Sequence, residues 1–439
     1  MEVLRLVKRT KSVCPVCLKQ LDARIVEKNG NYFMRKSCAQ HGKFSTIVWR
    51  GKSPSYEEWT KDAQPFDEKG AENCPTACGL CENHIRKTCC VLVEITARCN
   101  LRCPVCFAMS GEQAVCADPT VAELTEQFKA LAASGSTFLQ LSGGEPTVRD
   151  DLPEIVRAAK DAGMTSIQLN SNGIRLGKDR AFTKALAEAG LSFVFMQFDG
   201  TEDEIYEKLR GAKLLDAKKA AIDACRDEYI GVTLVPTVVP GVNDHNLGEV
   251  VKFAVKNSPT VRGVHFQPVS YFGRYPSPPR DEDRITLPEI LQAVEAQTNK
   301  KFKVRDFTTS CCDHALCGFH GDFAVLPNGV VMKLSGGGTS SCCDDAHLKN
   351  RSFVSRRWTR SPDSEKESSD EADMTDMTTF LSRVKSHGFT VTAMAFQDAY
   401  NLDIDRLRHC SLHVSSGGRI VPFCSNYITP MGDADVKSI

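Results

Sequence analysis

The sequence lacks three features that would identify common classes of protein: an excess of one charge, a long apolar run and a signal-type amino terminus. The 439 residues include 55 basic and 55 acidic side chains, so there is no general electrostatic footprint for nucleic acid, and nucleic acid is not an expected partner. No uninterrupted apolar run approaches the roughly 20 residues of a membrane span, and no cleavable signal pattern opens the chain. We therefore expect a cytoplasmic protein and leave peripheral contact with a membrane surface open.

Cysteine, by contrast, is abundant. Twenty cysteines in a chain without a signal pattern favour metal centres in a reducing compartment over a disulfide scaffold. A chain of 439 residues can also bury a large hydrophobic core, so it needs no additional cross-links for stability. The length predicts one large catalytic domain with smaller modules.

The most informative cysteines lie directly after an apolar strand-like run, Val91 to Ile95. Cys99, Cys103 and Cys106 follow with the spacing C-x3-C-x2-C. Three thiolates on a four-iron cluster leave one iron without a protein ligand, and an open coordination position is what a metal site needs for chemistry. The pattern therefore indicates an enzyme. The alternative is a structural zinc knuckle with a fourth ligand from a nearby cysteine, but zinc sites usually close with four ligands in paired spacings.

Two further motifs end the next strand-like runs. Gly143-Gly144-Glu145-Pro146 follows an apolar strand, where glycine permits close approach of a ligand and a carboxylate can accept hydrogen bonds from an ammonium group. Asn170 and Asn172 alternate onto one face at the end of the following strand, which suits contacts with a ribose or a carboxylate. Each motif alone is a plausible turn. Their joint occurrence at successive strand ends is the specific signal.

Apolar strands alternate with 3.6-periodic helical segments between about residues 90 and 275. Six such βα units predict a partial (β/α)6 barrel, in which ligand sites lie at the carboxyl ends of the strands. The cysteine loop, both motifs above, Asp199 and Thr237 all fall at such ends. Asp199 and Thr237 have a second interpretation, because a polar residue at the end of a strand is commonly a helix cap.

Together these features resemble the radical S-adenosylmethionine (SAM) superfamily. The resemblance implies that Cys99, Cys103 and Cys106 bind a [4Fe-4S] cluster whose fourth iron is chelated by SAM. It also implies reductive cleavage of SAM to a 5′-deoxyadenosyl radical, with electrons from an external low-potential donor. Val105 stands where many members carry an aromatic residue near the adenine, so adenine stacking stays unassigned. The residues expected to contact SAM are Gly143, Gly144, Glu145, Pro146, Asn170, Asn172, Asp199 and Thr237.

The amino-terminal cysteines have the spacing of a mononuclear metal site. Cys14 and Cys17 form a C-x2-C pair, and Cys38 and His41 form a C-x2-H pair beyond a hairpin signal at Asn29-Gly30. The pattern resembles a rubredoxin-like or zinc-ribbon knuckle, in which sequence does not separate iron from zinc. A histidine before glycine can instead cap a turn, which leaves His41 with an alternative role.

A second triplet predicts an auxiliary cluster. Cys74, Cys78 and Cys81 repeat the C-x3-C-x2-C spacing, and Cys89 or Cys90 supplies a fourth thiolate. Full protein ligation suits electron transfer better than SAM binding. We take Cys89 as the fourth ligand. The reverse assignment, with this triplet as the SAM-binding one, lacks the βα context and the Gly-Gly-Glu-Pro motif that follow the central triplet.

A third, dispersed group predicts another auxiliary cluster. Four ligands can come from Cys312, Cys317, Cys410 and Cys424, with Cys311 as an alternative to Cys312. Such long-range ligation would dock the carboxyl-terminal segment onto the barrel. The alternative is a set of buried free cysteines, which behave as small apolar side chains. That second interpretation is the one given to Cys116, Cys225, Cys342 and Cys343.

The complete set of motifs resembles the tetraether lipid synthase group of radical SAM proteins, whose members have also been described as dihydro-hydroxymethylpterin dimethyltransferases. The match rests on N-C-P-T-A-C-G-L-C, E-I-T-A-R-C-N-L-R-C-P-V-C-F-A, the amino-terminal knuckle and G-R-I-V-P-F-C-S-N-Y. It implies three four-iron clusters, one mononuclear iron or zinc, and hydrogen abstraction from an unactivated carbon, with carbon–carbon coupling of lipid chains. The alternatives are a radical SAM methyltransferase acting on a pterin-like small molecule and a non-catalytic iron–sulfur electron carrier.

The motifs predict how the chain is divided. Residues 335–380 match the family pattern poorly and combine glycine, serine and blocks of charge, which predicts a solvated linker; contact of its basic run with anionic lipid headgroups is the alternative. The predicted division is a rubredoxin-like knuckle (1–60), an auxiliary cluster segment (61–90), the core barrel (91–300), a cysteine-rich auxiliary segment (301–335), a solvated linker (336–384), and a carboxyl-terminal segment that completes an auxiliary cluster (385–439).

Overall fold

Two sheets organise the chain: a small antiparallel sheet at the amino terminus and a larger, mainly parallel sheet. The computed structural model describes residues 4–51, 53–61, 74–75, 80–81, 83–110, 117–309, 312–334, 346–360, 365, 374 and 376–431. Of the cysteines singled out above, Cys78, Cys116, Cys311, Cys342 and Cys343 lie outside the described residues.

The amino-terminal sheet is a ribbon of four antiparallel strands connected in sequence order. Asn29 and Gly30 have φ angles of 55° and 80°, the left-handed pair that a two-residue hairpin turn requires. The predicted hairpin and knuckle are therefore confirmed. The strands are β1 (Arg5–Val13), β2 (Gln20–Lys28), β3 (Asn31–Cys38) and β4 (Gly42–Arg50).

The larger sheet contains six consecutive parallel strands, each hydrogen-bonded to the next. This arrangement confirms the predicted partial (β/α)6 barrel. Alternate side chains of these strands point into the barrel lumen, as the two-residue period of a strand requires. The strands are β5 (Cys90–Thr96), β6 (Phe138–Gly143), β7 (Ser166–Ser171), β8 (Phe193–Gln197), β9 (Gly231–Val235) and β11 (Val261–Pro268), with the short β10 (Thr237–Val238) paired to β11.

Amphipathic helices cover the outside of the barrel. The first of its crossover helices begins with a capping box, in which Thr120 and Glu123 bond each other's backbone N–H groups. None of the described helices combines the length and the apolar character that crossing a bilayer requires. The helices through residue 297 are α1 (Tyr56–Thr60), α2 (Val121–Ala133), α3 (Leu152–Asp161), α4 (Ile174–Lys178), α5 (Arg180–Ala189), α6 (Asp203–Arg210), α7 (Leu215–Asp227), α8 (Leu247–Lys256) and α9 (Leu287–Gln297).

The carboxyl-terminal segment extends the barrel at both edges. One of its strands pairs in parallel with β11, and another pairs in parallel with β5. The sheet is therefore larger than the barrel predicted for residues 91–300. The added strands are β12 (Thr308–Thr309), β13 (Gly318–Val325), β14 (Val331–Lys333), β15 (Gly388–Met394), β16 (Leu412–Ser416) and β17 (Arg419–Pro422), of which β15 and β16 are the two that pair with the core.

Parts of the predicted solvated linker are helical and packed, which corrects that prediction for those parts. Trp358 is only 8% exposed and Arg383 only 4% exposed. The composition of the segment suggested full hydration, but its apolar side chains reach the amino-terminal end of the barrel and several of its arginines are hydrogen-bonded to protein atoms. The remaining helices are α10 (Ala346–Trp358), α11 (Met377–Ser386), α12 (Ile404–Arg408) and α13 (Phe423–Asn426).

The ribbon docks against the barrel through polar contacts. Arg50 Nη1 lies 2.7 Å from Glu289 Oε1 on α9. Thr10 Oγ1 donates to Asp403 Oδ1 over 2.6 Å, between β1 and the residue that caps α12. These contacts tie the ribbon to both the core and the carboxyl-terminal segment.

Candidate active site

A cavity of about 340 Å³ lies at the carboxyl ends of the parallel strands and continues into the barrel lumen. Parallel α/β barrels place their ligand sites at this end. All three cysteines of the central triplet line the cavity. So do most of the other residues predicted to contact SAM: Gly143, Gly144, Glu145, Asn170, Asn172 and Thr237.

The cysteine loop is held in shape by protein contacts. Cys106 and Arg274 exchange two backbone hydrogen bonds, each 2.9 Å long, and Arg274 Nε donates to the carbonyl oxygen of Cys103 over 3.0 Å. Gly273 has a φ of 68°, and a Cβ added there would lie 2.4 Å from the Cys106 carbonyl oxygen. The close approach therefore requires glycine.

The Cys99 thiol lies in an environment that disfavours its negative charge in the absence of a cation. Burial, followed by the nearby Glu145 carboxylate and the other two cysteines, raises the pKa of Cys99 to about 11, although the Leu101 N–H acts in the opposite direction. A bound cationic metal group reverses this balance and deprotonates its thiol ligands. The donor set therefore fits an iron–sulfur cluster.

The glycine pair allows two loops of the site to touch. An added Cβ would lie 2.1 Å from the Thr96 carbonyl oxygen at Gly143 and 2.1 Å from the Arg98 carbonyl oxygen at Gly144. The N–H groups of Gly144 and Glu145 donate to those same carbonyls over 2.9 Å. We predicted close approach of a ligand here, but the closest neighbour is the backbone of the cysteine loop.

The Glu145 side chain is only 2% exposed and is already hydrogen-bonded. Its Oε1 accepts from Thr147 Oγ1 at 2.6 Å and from Ser171 Oγ at 2.8 Å, and its Oε2 accepts from the Asn172 N–H at 2.6 Å. The predicted contact of this carboxylate with the SAM ammonium stays a prediction. The hydrogen bonds of Glu145 brace the loop after β7 against the loop after β6, and Pro146 begins the buried 3-10 turn that follows.

We expect Glu145→Gln to weaken SAM binding about tenfold, because an amide NH₂ replaces one of two oxygens that together accept from four donors, and a mismatched buried group costs about 1–3 kcal/mol. The measurement is the Kd for SAM of the iron-loaded variant, with iron content as a check on the cysteine loop. Glu126→Gln, on the exposed face of α2, is the matched control. An unchanged Kd in Glu145→Gln would contradict the bracing role.

The two asparagines link neighbouring loops. Asn172 Nδ2 donates to Asn100 Oδ1 in the cysteine loop over 2.7 Å. Asn170 Oδ1 accepts from Gln168 over 2.8 Å, and its Nδ2 lies 3.3 Å from Ser142 Oγ. Both face the cavity, as the alternation of β7 predicted.

Sequence reasoning missed Arg210, which brings a buried positive charge to the cavity. Asp199, which we predicted to contact the cofactor, is fully buried, does not line the cavity, and pairs with Arg210 over two contacts of 2.7 Å. Arg210 also donates to Thr237 Oγ1 over 3.1 Å and interacts with the Cys103 thiol. A basic residue before a helix-ending glycine is common, so no local signal distinguished Arg210.

The ribbon site has the geometry of a mononuclear metal centre. One ligand atom from each of Cys14, Cys17, Cys38 and His41 lies within 4.8 Å of the others. His41 Nδ1 is 3.5 Å from Cys14 Sγ and 3.4 Å from Cys38 Sγ. In a tetrahedral zinc site, bonds of about 2.3 Å to sulfur and about 2.0–2.1 Å to nitrogen place the sulfur and the nitrogen about 3.5 Å apart. The four residues therefore fit a metal ion, with His41 placed as a ligand.

The dispersed cysteines converge from three segments of the chain. Burial raises the pKa of the Cys317, Cys410 and Cys424 thiols, and these thiols interact with one another. Arg406 Nη2 lies 3.7 Å from Cys317 Sγ. Cys312 is also buried. Their ligation of a cluster stays a prediction, although the sequence spacing alone could not have shown that they meet.

The remaining cysteine group is only partly described. Cys74 and Cys89 are buried and Cys81 is exposed, while Cys78 lies outside the described residues. The Cys89 N–H donates to the Ser411 carbonyl oxygen over 2.9 Å, which places it next to Cys410. The assignment of this group to one cluster stays a prediction.

Comparison with known proteins identifies the family. Residues 93–254 match the model of the radical SAM superfamily, and residues 6–50 match the HMPTM N-terminal zinc ribbon domain. A 7,8-dihydro-6-hydroxymethylpterin dimethyltransferase of Methanocaldococcus jannaschii is 32% identical over 95% of this chain and 93% of its own length. The chain belongs to the radical SAM superfamily. It is an enzyme of that superfamily, whose members use a [4Fe-4S] cluster and SAM.

Other proteins match over shorter stretches. An Fe-coproporphyrin III synthase of Methanosarcina barkeri is 32% identical over 49% of this chain and 52% of its own. The solved structure of Streptococcus suis SuiB superposes with a TM-score of 0.40 and 14% identity, covering 49% of this chain and 47% of that one. The similarity to the M. jannaschii protein extends over nearly the whole of both chains.

Proposed function

We propose that Cys99, Cys103 and Cys106 hold the SAM-binding cluster of this radical SAM enzyme. When bound and reduced, that cluster with SAM supplies a 5′-deoxyadenosyl radical. Arg210, held by Asp199 beside Cys103, offers a fixed positive charge to the SAM carboxylate. Backbone groups of Gly143 and Gly144, which face the cavity, bind the amino end of SAM.

The substrate side of the cavity supports an apolar chain as the molecule that loses hydrogen. Leu92 on β5, Leu412 on β16 and Met394 on β15 line it beside Phe396 and Phe423. Four of these five side chains come from the carboxyl-terminal segment that flanks the barrel. Apolar side chains cannot orient a polar substrate, but they remove hydrocarbon from water at about 25 cal/mol per Å². They also keep water away from reactive intermediates.

This enzyme therefore abstracts hydrogen from unactivated carbon atoms of lipid chains and joins the chains through a carbon–carbon bond. The group of apolar side chains that lines the cavity, with Leu92, Met394 and Phe396 among them, is the observation that supports this function. Cys312, Cys317, Cys410 and Cys424 lie along the same side and hold an auxiliary cluster, which suits passage of electrons from an external low-potential donor. The electron-carrier alternative is set aside, since a carrier needs no SAM site.

The test is 5′-deoxyadenosine formation by anaerobically iron-loaded enzyme with SAM and a low-potential reductant, with and without a glycerol diether lipid. We expect the lipid to stimulate 5′-deoxyadenosine formation and to lose hydrogen, with two molecules of 5′-deoxyadenosine for each new carbon–carbon bond. A rate that the lipid leaves unchanged, with no coupled product, would reject lipid coupling while leaving radical SAM chemistry in place.

A second candidate is methyl transfer to a pterin-like molecule, as the name of the M. jannaschii relative indicates for that protein. Amide side chains beside the apolar ones favour it, since Gln140 on β6 is the cross-strand partner of Leu92 on β5. Gln140 and Gln267 line the cavity, and within the described part of the chain neither side chain has a hydrogen-bond partner. An amide without an internal hydrogen bond can both donate to and accept from the polar atoms of a heterocycle. Stimulation of 5′-deoxyadenosine formation by a dihydropterin, but not by lipid, would select this candidate.

A further inference from the structure

Along two of its strands, the lining of the barrel lumen becomes apolar with depth. On β6 the inward side chains run from Ser142 through Gln140 to Phe138, and on β8 they run from Gln197 to Phe195. Strand alternation sends these side chains to the same face. The polar members lie near the carboxyl ends of the strands, where the cysteine loop sits. The aromatic members lie toward the amino-terminal end.

Trp358 closes the deep end of this lumen. Its ring lies 5.4 Å from the ring of Phe193 and 4.8 Å from that of Phe195, between centroids. Val354, one turn earlier on α10, lines the same cavity together with Trp358. The floor of the cavity is therefore made by a segment whose sequence departs from the family pattern.

Contacts from three strands of the barrel hold this floor in place. Gly231, at the start of β9, leaves no room for a side chain, because an added Cβ would lie 1.9 Å from the Trp358 carbonyl oxygen. Trp358 Nε1 donates to Thr390 Oγ1 on β15 over 2.9 Å. Arg262 Nε donates to the Arg357 carbonyl oxygen over 2.6 Å. These contacts of Trp358 and its neighbour Arg357 with β9, β11 and β15 fix the depth of Trp358 in the lumen.

We propose that Trp358 is the depth stop of the substrate site: the end of an alkyl chain rests against its ring, so the floor sets which carbon lies opposite the cysteine loop. The inference rests on the proposed lipid function and adds a specificity-determining residue to it. An apolar chain is the expected occupant, because Phe138, Phe195, Val354 and Trp358 are apolar. Two polar groups beside them are already used: the Trp358 N–H bonds Thr390 Oγ1, and His265 Nδ1 bonds Thr392 Oγ1.

The first test uses a diether lipid deuterated at defined carbons. With the native enzyme, deuterium should be transferred to 5′-deoxyadenosine from one carbon position. With Trp358→Ala the chain slides deeper, so the preferred position moves to a carbon farther from the chain end. Trp358→Phe should retain most of the native preference, and Arg356→Ala, on the exposed side of α10, should leave it unchanged. An unshifted position in Trp358→Ala would overturn the proposal.

The second test needs no catalysis and keeps Trp358 in place. The chain has three tryptophans, so Trp49→Phe with Trp59→Phe leaves Trp358 as the single fluorophore. A diether lipid brominated at the chain end should quench it several-fold more strongly than one brominated near the glycerol. Equal quenching by two lipids that both bind would overturn the depth stop alone. Absence of lipid binding, together with no lipid-stimulated 5′-deoxyadenosine, would instead overturn the lipid function and the stop with it.

Discussion

Replacement of Cys103 by alanine is expected to abolish SAM cleavage. The residue lies in a loop whose shape is fixed by Arg274 and Gly273, and its side chain lines the cavity. Two remaining thiolates leave a four-iron cluster without the ligation that a three-cysteine loop provides. The measurement is 5′-deoxyadenosine formation by the purified, iron-loaded variant, together with its iron content and the spectrum of the reduced cluster.

The matched control for that substitution is Cys225→Ala. Cys225 is fully buried in α7, where burial raises its pKa to about 12, so it stays a neutral thiol that packs as a small apolar side chain. We expect this variant to cleave SAM at close to the native rate. Retained SAM cleavage in Cys103→Ala would reject the assignment of the central triplet as the SAM-binding one.

Asp199→Ala is expected to lower the free energy of unfolding by about 3–5 kcal/mol, since removal of one partner leaves a buried charge unpaired. The carboxylate accepts two hydrogen bonds from Arg210 and one from the Thr237 N–H. Loss of the pair also frees the guanidinium to leave Cys103, so SAM affinity should fall in the same variant. Chemical denaturation and the Kd for SAM are the two measurements.

A double variant separates the two effects. Adding Arg210→Met to Asp199→Ala removes the unpaired charge and should restore part of the stability, while SAM affinity stays low because the positive charge is gone. Asp216→Ala, in an exposed pair with Lys219, should change stability by less than about 0.5 kcal/mol. Full recovery of SAM binding in the double variant would show that Arg210 does not contact the cofactor.

The core of the fold could be predicted because its sequence pattern is local and repeated. Each strand of the barrel is a short apolar run followed by polar residues, and each crossover helix carries an apolar stripe of period 3.6. The cysteine loop and the Gly-Gly-Glu-Pro motif sit at fixed points of that repeat. Their meeting at one end of the barrel follows from the topology of parallel sheets.

The remainder depends on contacts that are distant in sequence. Nothing near Arg210 reveals that Asp199 turns it toward the cysteine loop, because the pairing depends on how α6 packs against the end of β8. Likewise, Trp358 sits in a charged segment whose composition resembles a linker. Trp358 lies against a glycine at the start of β9 and donates a hydrogen bond to a threonine on β15. Those positions become neighbours only when the sheet has formed.

The flanking positions of β15 and β16 have a consequence for biogenesis. The six core strands are synthesised long before the two strands that cover their edges, and an uncovered edge of a sheet is prone to pair with other chains. A nascent chain that has emerged only as far as α9 therefore presents two open edges and an unwalled cysteine loop. Completion of the carboxyl terminus then covers both edges.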